Sequence, residues 1–228
     1  MLFTVPARLA GLLRGGELDV ALVSITEALL NPGYDVVDGI AIASAGPVRS
    51  VFLAHRVPIA RLEEVFCDPA SLSSVGLLRV LLGERGVRPA FRTLADYRQT
   101  RRHDAVLLIG DRALDFALEP GEHRIWDLGG AWFKTTGLPF VHAAWTLRPG
   151  FRDEGLGTLL RQARDEGVAR LEELIRARTD YTLEFRRRYL TENVRFGLGE
   201  PEKQGLRLFA RLWRTHGGAE VFEPRFLV

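Results

Sequence analysis

Apolar residues recur along this chain in two rhythms. Near the C-terminus, Leu206, Phe209, Ala210 and Trp213 stand at i, i+3, i+4 and i+7, one face of a helix. Gly217-Gly218 supplies its stop. A second stripe, Val75, Leu78, Leu81 and Leu82, follows Ser71 and Ser73, which can cap a helix start; Gly83 and Gly86 are its stop residues. Leu156, Leu159, Leu160 and Ala163, then Leu171, Leu174 and Ile175, keep helical spacing, with Gly167 expected to split or bend the run. Pro6 in a first turn and Gly15-Gly16 beyond its end mark a short amphipathic helix over Val5 to Leu13.

The other rhythm is that of strands. "ELDVALVS" (17–24) is apolar on both faces, which fits a parallel sheet covered by helices. "GIAIAS" (39–44) and "RSVFLAH" (49–55) read as a strand pair. "DAVLLIGDRAL" (104–114) reads as a buried strand, a Gly-Asp turn and a helix start. "DLGGAWFKTTGLPFVHAAW" (127–145) reads as a buried strand broken by a Gly-Leu-Pro turn. Strands and helices alternate through the first ~150 residues, so the expected class is α/β. The middle block reads as a lobe inserted into another. Lobe I takes residues 1–56 plus 140–228 and lobe II residues 57–139, with Pro58 and Pro139 at the edges. Ligands of such folds lie in the crevice beyond the strand ends.

Composition narrows the function. Hydrophobic residues make up 46% and charged residues 26% of the 228, so a sizeable core is within reach. Basic and acidic residues number 31 and 29 and are interleaved. That leaves no broad basic face for nucleic acid, and the run Arg98–Arg102 reads as a solvated helix end. Cys67 stands alone, which excludes an intrachain disulfide and a Cys-Cys metal site, and the five histidines show no ligand spacing. No metal is expected. No apolar run approaches ~20 residues and no signal-peptide pattern is seen, so no membrane partner is expected and the expected location is cytoplasmic.

Four spots could carry chemistry: Ser24 after a strand; Ser44 to Ser50; Ser71, Ser73 and Ser74 at a helix start; and Thr135-Thr136 beside Lys134. Helix N-termini hold carboxylates through unpaired N–H groups, and hydroxyls add donors. Singly, each spot has an ordinary reading as a cap, turn or strand residue; their convergence on one side of a sheet is what suggests a site. Glu27, three residues after Ser24, and Asp111, after the "LLIG" strand, are the acid–base candidates, although Glu27 also has capping-box spacing. No Gly-x-Ser-x-Gly, Walker loop or Gly-x-Gly-x-x-Gly occurs, so no phosphate-rich cofactor is expected.

"GELDVALVS", "GPVRSVFL", "DPASLSSVGLLRVLL", "DAVLLIGDRAL", "TGLPFVHAAW" and "YLTENVRFGLGEPEKQGLRLFARL" occur in an order that resembles the chorismate dehydratases of the futalosine route to menaquinone. The resemblance covers almost the whole chain. It implies a two-lobed α/β fold like the type II periplasmic binding proteins, with a ligand cleft between the lobes. It implies a lyase that removes water from chorismate, a small dicarboxylate, without metal or organic cofactor. On that footing Ser71, Ser73 and Ser74 would hold one carboxylate, Thr135 and Thr136 would face it, and Ser24, Ser44 and Ser50 would contact the other end. Family members place a further strand with a Tyr-x-Asn motif ahead of this segment. Here it is expected to be missing, which would leave a sheet edge that invites association as a homodimer. Two alternatives stay open: the naphthoate synthase of the same route, with His142 as its proton-transfer group, and a solute-binding receptor without turnover.

Overall fold

The computed structural model describes residues 2–70, 72–218 and 220–227. In chain order the strands are β1 (Val20–Ser24), β2 (Asp35–Ser44), β3 (Val51–His55), β4 (Glu64–Cys67), β5 (Ala90–Thr93), β6 (Ala105–Ile109), β7 (Arg124–Asp127), β8 (Phe140–Leu147), β9 (Arg195–Leu198) and β10 (Phe226–Leu227). The helices are α1 (Pro6–Arg14), α2 (Ile25–Leu30), α3 (Leu72–Gly83), α4 (Gly110–Leu118), α5 (Leu128–Thr136), α6 (Leu156–Ala169), α7 (Leu171–Ala177), α8 (Leu183–Arg188) and α9 (Glu200–His216). Two sheets form. The first runs β1-β8-β2, antiparallel throughout, with β9 and β10 on the far edge of β2. The second runs β5-β4-β6-β3-β7, with β4 parallel to both β5 and β6.

One core joins the sheets. Val23, Val36 and Phe140 of the first sheet and Leu53 and Leu107 of the second belong to the same buried cluster, with Leu77, Leu81, Trp132 and Phe209 between them. The stripe on α9 is buried as its spacing predicts: Leu206, Phe209, Ala210 and Trp213 are 0–6% exposed. Each large side chain buried there contributes roughly 2 kcal/mol by area. Its rings pack edge to face, Phe209 lying 5.0 Å from Phe140 and 6.1 Å from Trp132 between centroids. A smaller cluster, with Phe52, Val106, Leu108 and Phe116, fills the space between the second sheet and α4.

Four sequence expectations change. β1 is an antiparallel strand with alternating burial, because β8 returns alongside it. "GIAIAS" and "RSVFLAH" do not pair: β2 lies in the first sheet and β3 in the second, so the chain crosses between sheets at 45–50, ahead of the expected boundary after residue 56. Asp127–Trp145 is not one broken strand. The Asp127 carboxylate caps α5 by accepting from the Gly130 N–H at 2.8 Å, Gly137 closes the helix in the left-handed region, and only then does β8 begin. Finally, α6 runs straight through Gly167, and the break falls at Arg170. No helix among the described residues is long and apolar enough to cross a membrane.

Candidate functional site

The chain passes from β2 of the first sheet to β3 of the second at 45–50, and the strand ends beside that crossing frame the candidate site. On the first sheet the edge is formed by Ser24, which pairs with Ala143, and by Ser44, which pairs with Phe140. Strand spacings put these serines roughly 14 Å apart on either side of β8. On the second sheet it is formed by the start of β3 at Val51, opposite Ile109, and by the end of β7 at Asp127.

His142, on β8 between the two serines, holds the centre. Its Nε2 lies 2.9 Å from Ser44 Oγ, and its Nδ1 is enclosed without a hydrogen-bond partner among the described residues. Desolvation pushes the imidazole down to about 4, so it is neutral at pH 7. No carboxylate orients Nδ1, so Ser44 and His142 lack the third member that a nucleophilic serine needs.

The first turn of α5 is pressed against this pair. A methyl group on Gly129 would come within 2.8 Å of both Ser44 Oγ and the Gly46 carbonyl, so only glycine lets the helix start approach. Asp127 clasps the crossing to the helix. Its two oxygens accept from the N–H groups of Val48 at 3.1 Å, Arg49 at 2.7 Å and Gly130 at 2.8 Å. The α5 start is thus already capped by Asp127, and the Ser44 hydroxyl, 1% exposed and held by His142, is the group here that can serve a ligand oxygen.

The remaining expected residues fall in different places. Ser24 is at the edge, its hydroxyl 2.7 Å from that of Thr26. Ser50 lies in the crossing, but its hydroxyl is occupied, accepting from Tyr189 Oη at 2.8 Å. Ser73 and Ser74 are buried in the first turn of α3, 8% and 3% exposed, and form no side-chain hydrogen bond among the described residues. Ser71 lies outside the described residues. Thr135 and Thr136 do not face the cleft from α3's opposite side as expected. They sit at the far end of α5, where their hydroxyls donate to the Ala131 and Trp132 carbonyls, both at 2.9 Å. Glu27 is not an available base either. It is 3% exposed and accepts from Arg14 at 2.7 and 2.8 Å and from Asn31 at 3.1 Å, tying α2 to α1. Asp111 is exposed in the first turn of α4, on the cleft edge of the second sheet.

Sequence reasoning did not single out Asp127, Gly129 or Thr26, and it weighed His142 only as a proton-transfer group of the alternative enzyme or as a packed strand residue. The signal for Asp127 was present: an aspartate three residues before a glycine that ends up as its capping partner. Asp68 was also passed over. It accepts from Ala70 N at 2.9 Å and Tyr97 Oη at 2.7 Å, shaping the turn into α3, and burial pushes its carboxyl up. Burial likewise pushes the Cys67 thiol up to about 12, which makes it inert as a nucleophile.

Comparison with known proteins adds to this geometry. A family model described as menaquinone biosynthesis matches residues 1–215. A curated chorismate dehydratase of Thermus thermophilus is 36% identical over 231 residues, covering 92% of this chain and 85% of the relative. A solved protein of Archaeoglobus fulgidus superposes with a TM-score of 0.66 at 15% identity, over 95% of this chain and 86% of that one. A Parabacteroides distasonis structure described as an ABC transporter gives 0.61 at 17% identity, over 95% of this chain and 81% of that one. The last two show the fold alone: the two-lobed α/β architecture expected from the sequence.

Proposed function

The chain belongs to the menaquinone-biosynthesis family, and from that premise we propose that it is a hydro-lyase that converts chorismate to 3-(1-carboxyvinyloxy)benzoate. The observation that carries the activity is the 36% identity to a chorismate dehydratase along nearly the whole chain. The geometry supports the same reading. The reaction expels the ring hydroxyl and the proton on the neighbouring ether-bearing carbon as water, and the C–H electron pair completes an aromatic ring. The driving force resides in the substrate. The protein has to fix a dianion in one conformation, assist the leaving hydroxyl and keep bulk water out.

Ser44 suits the second task. An enclosed N–H without an acceptor is rarer than an enclosed lone pair, so His142 carries its proton on Nε2 and donates to Ser44 Oγ. The Ser44 proton is then turned toward the cleft as a fixed donor. Ser24, Ser71, Ser73 and Ser74 are proposed to hold the substrate carboxylates together with the α3 start. Ser50 supports the crossing rather than the ligand, and Thr135 and Thr136 take no part. Asp111 is the protein's proton-acceptor candidate; a carboxylate of the substrate itself is the other. A dicarboxylate substrate, a cytoplasmic location and a homodimer belong to the same proposal.

Incubating the protein with chorismate and following the aromatic product by its ultraviolet absorbance tests the reading. Steady turnover that Ser44→Ala reduces roughly tenfold or more is expected, the loss of one hydrogen bond to a charged or developing-charge oxygen. Saturable binding of chorismate with no product would instead favour a solute-binding role.

A further inference from the structure

Arg49 and Tyr181 are the two non-glycine residues with positive φ among the described residues, at 64° and 57°. Such strained positions gather at ligand clamps. Both line one cavity of about 740 Å³, walled by Pro47, Leu114, Leu118, Ile125 and Phe185. It lies on the α4 and α8 side of the second sheet, and no strand of the first sheet contributes to its wall. Leu118 and Ile125 are 71% and 40% exposed, apolar surface that nothing in this chain covers.

The polar groups in the wall are unequal. Both Asp127 oxygens are taken by the backbone N–H groups of Val48, Arg49 and Gly130. The Tyr181 hydroxyl donates to Asp115 at 2.8 Å, which commits that pair. The Arg49 guanidinium has no hydrogen bond or ion pair among the described residues, and it is the one cation in the wall. Thr182 Oγ1 accepts from the Phe185 N–H at 3.2 Å, which leaves its own proton to donate. An apolar slot whose one cation is unpaired, and whose one carboxylate already accepts from three backbone N–H groups, favours an anion with a hydrophobic body. Its Phe185 side continues a ring stack, with Phe185 and Tyr189 5.8 Å apart and 9° from parallel.

We propose that this cavity is a second ligand site, separate from the cleft, for an aromatic monocarboxylate whose carboxylate sits on Arg49 and Thr182 and whose ring lies against Leu114, Leu118, Ile125 and Phe185. The strained Arg49 backbone is held by Asp127 so that the guanidinium is presented before the ligand arrives.

Equilibrium dialysis with 2-naphthoate tests it, with 2-naphthalenemethanol as the uncharged probe. Arg49→Gly removes the anchor while glycine keeps the left-handed backbone, and Leu118→Glu puts a charge at an exposed wall position that the fold tolerates. The acid is expected to bind the native chain at least about tenfold more tightly than the alcohol does, with both variants losing about tenfold or more at this site. Chorismate turnover of Leu118→Glu stays at the native level, and excess chorismate does not displace the probe. Equal binding of 2-naphthoate to native chain and variants, equal binding of the alcohol, no binding to the native chain, or displacement by chorismate each overturns the proposal. The comparison of variants uses no chorismate, so it succeeds or fails independently of the dehydratase reading.

Discussion

Ser44 has one proton and two lone pairs, and its neighbour decides which of them faces the cleft. His142 Nε2 at 2.9 Å leaves the two tautomers as the alternatives, and the enclosed, partnerless Nδ1 selects between them. Two-bond ¹⁵N–¹H spectra of the imidazole should therefore show Nδ1 as the unprotonated nitrogen; a proton on Nδ1 would withdraw the donor role from Ser44. His142→Gln, whose amide can still donate, should keep kcat with chorismate near the native value. His142→Leu should lower kcat by about tenfold, the loss of one hydrogen bond oriented toward the leaving hydroxyl, with a smaller change in KM. The same residue makes a pH prediction. Burial lowers its proton affinity from the ordinary 6.5 to about 4, so between those values the unfolded chain binds a proton that the native chain refuses. Stability should fall as pH drops from 6.5 to 4, by at most about 3 kcal/mol at roughly 1.4 kcal/mol per tenfold change in proton affinity. Urea midpoints of His142→Gln across that window should show a shallower fall than the native chain; parallel curves would assign the acid sensitivity elsewhere.

At the scale of elements, what the sequence reveals depends on whether a pattern is local. The α9 stripe was legible because four apolar residues at helical spacing need one partner surface, and burial followed at each of them. The helix α5 was not, because "LGGAWFKTT" carries two glycines and two threonines, residues of low helix propensity, beside a strand-like "PFVHAAW". Its cap, Asp127, and its contact with Ser44 through Gly129 depend on the 45–50 crossing, which lies some 80 residues earlier in the chain. For the same reason Ser24 and Ser44 sit at strand ends, as their flanking apolar runs suggest, whereas Thr135 and Thr136, read as strand residues, lie on a helix. Two glycines on helices test this level of description. Gly205 on α9 lies against the Pro139 backbone, and a methyl group would overlap that carbonyl, while Gly167 on α6 has nothing within 4 Å of an added methyl. Gly205→Ala should destabilise by several kcal/mol, since a backbone carbonyl cannot step aside. Gly167→Ala should stabilise by about 1 kcal/mol through helix propensity alone. Chemical denaturation reads both, and equal effects of the two substitutions would contradict the packing of α9 on the Pro139 turn.

At the scale of the whole molecule, the continuous core governs how the two sheets respond together. Lobes linked only by crossing strands would melt as separate units, but here α3 and α5, which flank the second sheet, bury Leu77, Leu81 and Trp132 in one cluster with Phe140 and Phe209 of the other half. Heating should therefore give one transition, with far- and near-ultraviolet circular dichroism tracing the same curve. Two resolved steps would mean that the shared core contributes little. The cleft edge is assembled from both halves: Ser44 and His142 come from the first sheet, while α5's first turn follows β7 of the second. A ligand gripped by both must favour the closed, folded state over any partly opened one. Chorismate at about 100 times its dissociation constant should raise unfolding free energy by about 2.7 kcal/mol, moving that single transition upward without splitting it. Gly129→Ala drives a methyl group toward Ser44 Oγ and the Gly46 carbonyl, and so should abolish most of this ligand-dependent shift while the unliganded chain still melts in one step.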